Sequence, residues 1–360
     1  MNDKPQEKGF RKQDIYSPYK VLNYLDKIEQ LKNGELPSPV FVQWDLTNKC
    51  NLNCSFCFYR DACTEDGYKL TDWDEMEEFP KDVSIRILHE LREMDVKAVE
   101  WTGGGEPTVH PHHKELFRLA QEIGLKQALV TNGALLDDES IDLIKDFEWV
   151  RFSVDASDAE TYMKVKRLNV FDKVIRNIEK LVKAKKPRNI VGMSFIVCPD
   201  NYKNIHDFAL LGKKLGVDNV RYSIAMTPEG DKLFEGIWDE IVEQLNRAKE
   251  HETEDFKIFS FSNRIHDLKK AVYNGYCGYN HLVAVVAPRG VYPCCRLKDD
   301  GRFNFGDLRN QSFKEIWLGD KRRRFLETVG KDCRFNCWMS SKNAFIQYIM
   351  SDDKPHKEFI

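Results

Sequence analysis

The chain has 360 residues, 42% of them hydrophobic, with a net charge of −3. The length predicts roughly two domains, and the small negative charge argues against a nucleic-acid-binding surface, which needs clustered Lys and Arg. The polar, charged N-terminus excludes a secretory signal, and no apolar run reaches the ~20 residues of a membrane span. We therefore expect a cytoplasmic protein without membrane contact, whose ten cysteines are reduced thiols or metal ligands.

Regular alternation of strand-like and helical segments begins after a polar lead-in. Residues 1–36 predict one amphipathic helix, around Val21 to Leu31. The predicted strands are residues 41–47, 97–102, 126–131, 149–155, 190–197 and 218–224. Six strand–helix units over residues 37–252 predict an α/β fold, a parallel (β/α)6 partial TIM barrel. In such a fold, ligands bind at the carboxyl ends of the strands.

Three thiols, Cys50, Cys54 and Cys57, follow the first predicted strand within eight residues. Thiolates are soft ligands that select iron–sulfur clusters or zinc, and three of them on a four-iron cluster leave one iron open. The spacing CxxxCxxC, with the aromatic Phe56 before the third cysteine, resembles the cluster loop of the radical S-adenosylmethionine (SAM) superfamily. The alternative is a zinc site that takes Cys63 as its fourth ligand.

The resemblance implies the cofactors of that superfamily. SAM binds the open iron of a 4Fe-4S cluster there, and its reductive cleavage produces a 5′-deoxyadenosyl radical. A one-electron reductant of the flavodoxin or ferredoxin type is therefore an expected partner.

A glycine-rich turn follows the second predicted strand. Glycines let backbone groups approach a ligand closely, and a glutamate offers an acceptor for an ammonium group. The sequence Gly103-Gly104-Gly105-Glu106-Pro107 resembles the GGEP loop of the superfamily, which contacts the amino group of SAM. Asn132, after the third strand, lies in a Thr-Asn-Gly sequence also typical of the family.

The fourth predicted strand supplies further candidate SAM contacts. Its period of two sends Arg151, Ser153 and Asp155 to one face. The resemblance assigns Ser153 and Asp155 to the ribose hydroxyls or the methionyl end of SAM. Arg167 either reaches the SAM carboxylate or is a solvated arginine at a helix start.

The same period of two predicts a polar barrel lumen. Its inward residues are Gln43, Asp45, Glu100, Arg151, Ser194, Arg221 and Ser223. A polar lumen suits a hydroxylated or charged substrate, and Asp45, Glu100 or the neighbourhood of Arg221 are candidates for a catalytic base. A buried Glu100–Arg151 pair with a purely structural role is the alternative. Cys198, at the end of the fifth strand, is an unligated thiol or a hydrogen-atom donor of the kind found in radical epimerases.

A second cysteine-rich region follows a linker, residues 253–276, which contains one predicted strand. Two further strands predict a hairpin that brings Cys277 and Cys295 to a common end. The pattern resembles the SPASM and twitch extensions of radical SAM enzymes, which carry auxiliary clusters. The five thiols of residues 277–344 are too few for a full SPASM domain.

The expected unit is therefore a small α+β twitch-like domain with one auxiliary 4Fe-4S cluster, followed by a tail at residues 345–360. The expected ligands are Cys277, Cys295, Cys333 and Cys337. Cys294 is a spare thiol or an alternative ligand. A structural zinc on the same four thiolates is the alternative.

The predicted function is a radical SAM oxidoreductase that removes two electrons from a small polar molecule, as a dehydrogenase does. A peptide-modifying maturase that forms crosslinks and a radical epimerase are the alternatives. The absence of a recognisable N-terminal peptide-binding domain favours the small molecule. Two other classes stay open: a non-catalytic iron–sulfur electron carrier, and an RNA-modifying protein that uses the basic runs Lys183–Arg188 and Lys321–Arg324.

Overall fold

The computed structural model describes residues 15–59, 70–225, 230–261, 276–332 and 339–351. Its centre is a nine-stranded sheet in the order β7-β6-β5-β4-β3-β2-β1-β8-β9. Every neighbouring pair is parallel except the β8–β9 hairpin. The strands are β1 (Phe41–Asp45), β2 (Ala98–Thr102), β3 (Lys126–Thr131), β4 (Trp149–Ser153), β5 (Ile190–Val197), β6 (Asn219–Ile224), β7 (Lys257–Phe259), β8 (Val283–Ala287) and β9 (Gly290–Tyr292).

Helices cover the outer face of this sheet. They are α1 (Leu25–Lys32), α2 (Lys81–Glu93), α3 (His113–Glu122), α4 (Asp138–Ile144), α5 (Ala159–Lys166), α6 (Phe171–Ala184), α7 (Ile205–Leu215), α8 (Trp238–Lys249), α9 (Tyr279–Leu282), α10 (Phe313–Trp317), α11 (Asp320–Asp332) and α12 (Ser340–Met350). The apolar stripe of α6, for example, is fully buried at Val174, Ile178 and Leu181. A parallel sheet with helices on one face is the predicted partial barrel.

The two faces of the sheet differ in burial, as the period of two predicts. Trp44, Trp101 and Phe152 have no exposed surface and pack in the core between strands and helices. Glu100 and Arg151, on the opposite face of β2 and β4, are half-buried. The inner face is therefore reached by solvent, because a filled core would leave these side chains fully buried.

Three elements cross the predicted domain limits. The C-terminal hairpin is part of the barrel sheet, because β8 pairs in parallel with β1. The linker strand also joins this sheet, where β7 pairs in parallel with β6. The predicted C-terminal tail begins inside α12, so the helix crosses the expected boundary at residue 345.

The N-terminal segment and α12 bridge the two ends of the open sheet. The ring of Tyr16 lies 4.6 Å from that of Phe259 on β7, edge to face. Tyr19 packs against Phe345 of α12, with ring centroids 5.0 Å apart. The side chain of Asn343 on α12 accepts a hydrogen bond of 2.9 Å from the backbone N–H of Tyr279, before β8. Aromatic and polar contacts thus connect β7 to β8 across the gap.

None of the described helices is long and apolar enough to cross a membrane.

Candidate functional site

The three N-terminal thiols lie on one loop, residues 50–57, that follows β1; we call it the cluster loop. Cys50, Cys54 and Cys57 are all half-buried, without a disulfide. The loop is tied to the end of α5, where the backbone N–H of Ser55 donates to the carbonyl of Val165 at 2.8 Å. Burial raises the pKa of the Cys50 thiol to about 11, and coordination by a metal would deprotonate it.

A buried cation that the sequence did not reveal lies beside this loop. The ammonium of Lys166, at the end of α5, is 5.3 Å from the centroid of the Phe56 ring. Burial raises the pKa of Cys54, and the charge of Lys166 opposes that rise. This ammonium therefore favours thiolates in the cluster loop.

Asp155 is the counter-ion of Lys166. One carboxylate oxygen pairs with the Lys166 ammonium, and the other accepts 2.5 Å from the backbone N–H of Ile196. Asp155 has no exposed surface, and its φ of 60° lies in the left-handed region. Asp155 thus has two partners within the protein, and its contact with SAM stays a prediction.

The glycine-rich turn packs directly on the cluster loop. The N–H groups of Gly105 and Glu106 donate to the carbonyls of Thr47 and Lys49, at 3.1 and 2.9 Å. A Cβ at Gly105 would lie 2.1 Å from the Lys49 carbonyl oxygen, and one at Gly104 would lie 2.2 Å from the Trp73 ring. Glycine is thus required at both positions because neighbouring segments of the chain approach closely there, in addition to any contact with a ligand.

Glu106 joins the ends of two strands, β2 and β3. Its carboxylate accepts from the Thr131 hydroxyl at 2.6 Å, from the Asn132 N–H at 2.7 Å and from two groups of Thr108. Burial raises the pKa of Glu106, against the effect of these donors. Asn132 in turn donates to the side chain of Asn51 in the cluster loop, at 2.8 Å. This network fixes the β2 and β3 ends against the thiols.

Three other residues were predicted to bind SAM or to donate a hydrogen atom, and each lies in different surroundings. Ser153 is half-buried, with its hydroxyl 3.4 Å from that of Ser194. Arg167 is exposed and ends α5 in the left-handed conformation, so it does not start a helix as predicted. Cys198 is 3% exposed within the main core, and burial raises the pKa of its thiol to about 12.

The end of β1 carries a second buried ion pair that the sequence did not reveal. Asp45 accepts 2.8 Å from the Gly104 N–H and pairs with the ammonium of Lys298. Both side chains are almost fully buried. Asp45 is thus paired within the protein, and its role as a catalytic base stays a prediction.

The carboxylate of Asp299 lies in the same pocket and forms no hydrogen bond with the described residues. Neither of its carboxylate oxygens has a hydrogen-bond partner among the described residues, and the Lys298 ammonium is 3.7 Å away. Burial raises the pKa of Asp299 to about 7. The carboxyl of the unfolded chain ionises near its ordinary pKa of about 4.

The free energy of unfolding contributed by Asp299 is expected to fall between pH 4 and pH 7 and then to level off. In that window the folded state keeps a proton that the unfolded state has lost. Asp299→Asn should therefore stabilise the protein progressively more as pH rises, by roughly 1.4 kcal/mol per unit of pKa difference. Urea unfolding at pH 5 and pH 7.5 measures this, with Asp142→Asn, on an exposed carboxylate, as control. An Asp299→Asn effect that is equal at both pH values would contradict the assignment.

Cys294 and Cys295, at the end of the hairpin, differ in their surroundings, and the predicted pairing of Cys277 with Cys295 stays a prediction. Cys277 and Cys294 are half-buried and pack against the same two apolar clusters. Cys295 is exposed and packs in neither cluster; its charged neighbours include Glu100 and Lys298. Cys294 thus shares its apolar surroundings with Cys277, whereas Cys295 does not. The predicted ligands Cys333 and Cys337, like Cys63, lie outside the described residues.

The donor set at the cluster loop fits a four-iron cluster. It consists of three soft, partly accessible thiols beside a buried cation. Among the described residues, no three His, Cys, Asp or Glu side chains gather closely enough for a single metal ion. A cluster does not require such gathering, because each thiolate binds a different iron.

Comparison with known proteins identifies the family. Residues 44–212 match the family described as "Radical SAM superfamily", and residues 277–338 match SPASM, an "Iron-sulfur cluster-binding domain". The tungsten-containing aldehyde ferredoxin oxidoreductase cofactor-modifying protein of Pyrococcus furiosus is 26% identical, over 78% of this chain and 81% of that protein. The mycofactocin maturase MftC of Mycobacterium ulcerans is 26% identical, over 81% of this chain and 77% of that protein.

A solved structure of Streptococcus suis SuiB, bound to precursor peptide SuiA, shares the fold. It covers 98% of this chain and 82% of that chain, with a TM-score of 0.63 and 15% identity. The two family matches fall on the cluster loop with its barrel strands and on the cysteine-bearing hairpin. The cofactors are accordingly SAM, a 4Fe-4S cluster and auxiliary iron–sulfur clusters. Residues 44–212 therefore form a radical SAM domain, and residues 277–338 form a C-terminal SPASM iron–sulfur domain.

Proposed function

We propose that this enzyme catalyses a two-electron oxidation of a polar substrate held in the barrel lumen. The observation that carries the proposal is a polar, partly accessible lumen between the cluster loop and the C-terminal thiols. When bound, SAM and the clusters supply a hydrogen-abstracting radical and an acceptor for one electron. A flavodoxin- or ferredoxin-type protein is the proposed source of the initiating electron.

Glu100 is the proposed base that takes a proton from the substrate radical. It is half-buried on the lumen face of β2, and its carboxylate accepts only a long hydrogen bond, 3.3 Å, from the Gln43 amide among the described residues. It forms no ion pair with Arg151 within the described structure, so the predicted structural pair is not formed. Asp45 and Asp155 are each already paired with a lysine. Glu100 is therefore the lumen carboxylate best placed to accept a proton.

Cys277 and Cys294 are the proposed hairpin ligands of the auxiliary cluster. Their packing against the same two apolar clusters supports this assignment, as does the exposure of Cys295. Cys333 and Cys337 are proposed to complete the set. Four thiolates leave no iron open to substrate, which suits an electron acceptor.

A small polar molecule is the first proposed substrate class, and a peptide is the second. The polar lumen favours the first. The second is favoured by the SuiB structure, which holds a precursor peptide and superimposes on 98% of this chain. The relatives named above are described as acting in cofactor modification and in mycofactocin maturation, so they do not choose between the two classes.

Product mass and SAM stoichiometry test this proposal. Anaerobically reconstituted protein, SAM and dithionite are incubated with size-fractionated small-molecule and peptide pools. Oxidation predicts one SAM consumed for each product lighter by two hydrogens. Glu100→Gln should lower product formation roughly 10²-fold or more, the usual effect of losing a general base. A product of unchanged mass with SAM regenerated would overturn oxidation in favour of epimerisation, and a crosslinked peptide would overturn the small-molecule class.

A further inference from the structure

We propose that the barrel lumen recognises an anionic group of the substrate, a carboxylate or a phosphate, through Arg151, Arg221 and Lys342. This inference rests on the proposed function and adds that the substrate carries a negative charge. The three cations come from β4, β6 and α12, so the site exists only once the N-terminal segment and α12 have closed the open sheet.

Two guanidinium groups project from the inner face of the sheet. Arg151 and Arg221 are both half-buried, and β5 between them presents the small side chain of Ser194, which is directly opposite Arg221. Burial lowers the pKa of Arg221, and the charge of Arg151 lowers it further. Two like charges so placed repel each other, and an anion between them would remove that cost.

Aromatic rings hold these guanidinium groups without neutralising them. The Arg151 guanidinium carbon lies 5.3 Å from the centroid of the Trp149 ring, and that of Arg221 lies 5.2 Å from the Tyr16 ring. Stacking of this kind orients the planar guanidinium group and leaves its N–H groups free to bind an anion. Within the described structure, neither arginine forms an ion pair with a carboxylate.

Lys342 adds a third positive charge; it is half-buried on α12 and adjoins Asn343, which accepts from the Tyr279 N–H ahead of β8. Burial lowers the pKa of this lysine, and the nearby Lys20 and Arg221 lower it further; Glu100 opposes them. Glu100 is the one lumen carboxylate that acts on both Arg221 and Lys342. The described lumen thus holds an excess of positive charge.

The other fully buried cations of the described chain are satisfied within the protein, where Lys27 and Arg322 donate to backbone carbonyls. Lys166 and Lys298 each have a buried aspartate as counter-ion, because an unpaired charge away from water is costly. Arg151 and Arg221 lack such a partner among the described residues. An arginine fork matches the two oxygens of a carboxylate or phosphate, so a substrate anion is the missing counter-ion.

Anion binding to the reconstituted full chain tests this site, with inorganic phosphate and succinate as probes. Isothermal titration without reductant should show binding of at least one probe. Arg221→Gln and Arg151→Gln should each weaken it tenfold or more, whereas Arg188→Gln, on an exposed arginine, should leave it unchanged. Glu100→Gln should strengthen it several-fold, a change that a folding defect cannot produce. Binding of phosphate alone would identify a phosphoryl group, and binding of succinate alone a carboxylate.

Arginine labelling supplies a second measurement on the unmodified chain. Phenylglyoxal should label Arg151 and Arg221 more slowly in the presence of the bound probe, with Arg188 labelled at an unchanged rate. Failure of wild-type protein to bind either probe, or equal weakening by Arg188→Gln, would overturn the anion site. Loss of the oxidation reaction with anion binding intact would instead refute the proposed function, so the two failures are distinguishable.

Discussion

Release of 5′-deoxyadenosine is expected to disappear when Cys50, Cys54 and Cys57 are all replaced with alanine. The thiolates hold the cluster that binds SAM, and no other described thiol lies on that loop. Anaerobic reconstitution, addition of SAM and dithionite, and chromatography of the products measure this directly. The expected loss is complete, because electron transfer to SAM needs the cluster itself.

Iron content separates this effect from general misfolding. The triple variant should lose about four irons and keep the auxiliary cluster, because the two sets of thiols lie on different elements. In that background, Cys294→Ser should remove the remaining iron, and Cys295→Ser should not. SAM cleavage retained by the triple variant would contradict the assignment of the first cluster. Zinc in the auxiliary site after anaerobic purification would contradict the assignment of the second.

A loss of about 3–5 kcal/mol in the free energy of unfolding is expected for Lys298→Met. The substitution leaves the Asp45 carboxylate buried without its counter-ion, the costly case for a buried pair. Urea unfolding at pH 7 measures the change. Lys164→Met, which removes a surface lysine paired with Asp200 at 3.0 Å, should cost no more than about 1 kcal/mol.

The double variant Lys298→Met/Asp45→Asn isolates the charge from the packing. The asparagine oxygen can still accept from the Gly104 N–H, and no unpaired carboxylate remains. We therefore expect the double variant to be more stable than Lys298→Met alone. A double variant that is less stable by the sum of both single losses would show that Lys298 acts through packing alone.

The burial pattern of the barrel core could be predicted because it depends on residues that are close together in the sequence. Burial of Trp44, Trp101 and Phe152 on one face, with Glu100 and Arg151 on the other, follows from the period of a strand. The cluster loop was predictable for the same reason, since its three thiols lie within eight residues. The capping box of Ser312 and Glu315, which starts α10, is equally local because it lies within four consecutive residues.

Partners of the polar residues were not predictable. The period of two assigned Asp45 to the lumen face as a candidate base, and the resemblance assigned Asp155 to SAM. Their counter-ions come from elsewhere: Lys166 from the following helix and Lys298 from a position 253 residues away from Asp45. Periodicity reports which face a residue takes and carries no information about which distant charge meets it.

The sequence alone determined the fold class, the family and the position of the first cluster, because strand period and cysteine spacing act over a few residues. Tertiary structure decided which carboxylates are neutralised, which of Cys294 and Cys295 shares its apolar surroundings with Cys277, and how the N-terminal segment and α12 close the lumen. Each of these depends on contacts between segments far apart in the chain, whose geometry is set only when β8 pairs with β1 and completes the sheet.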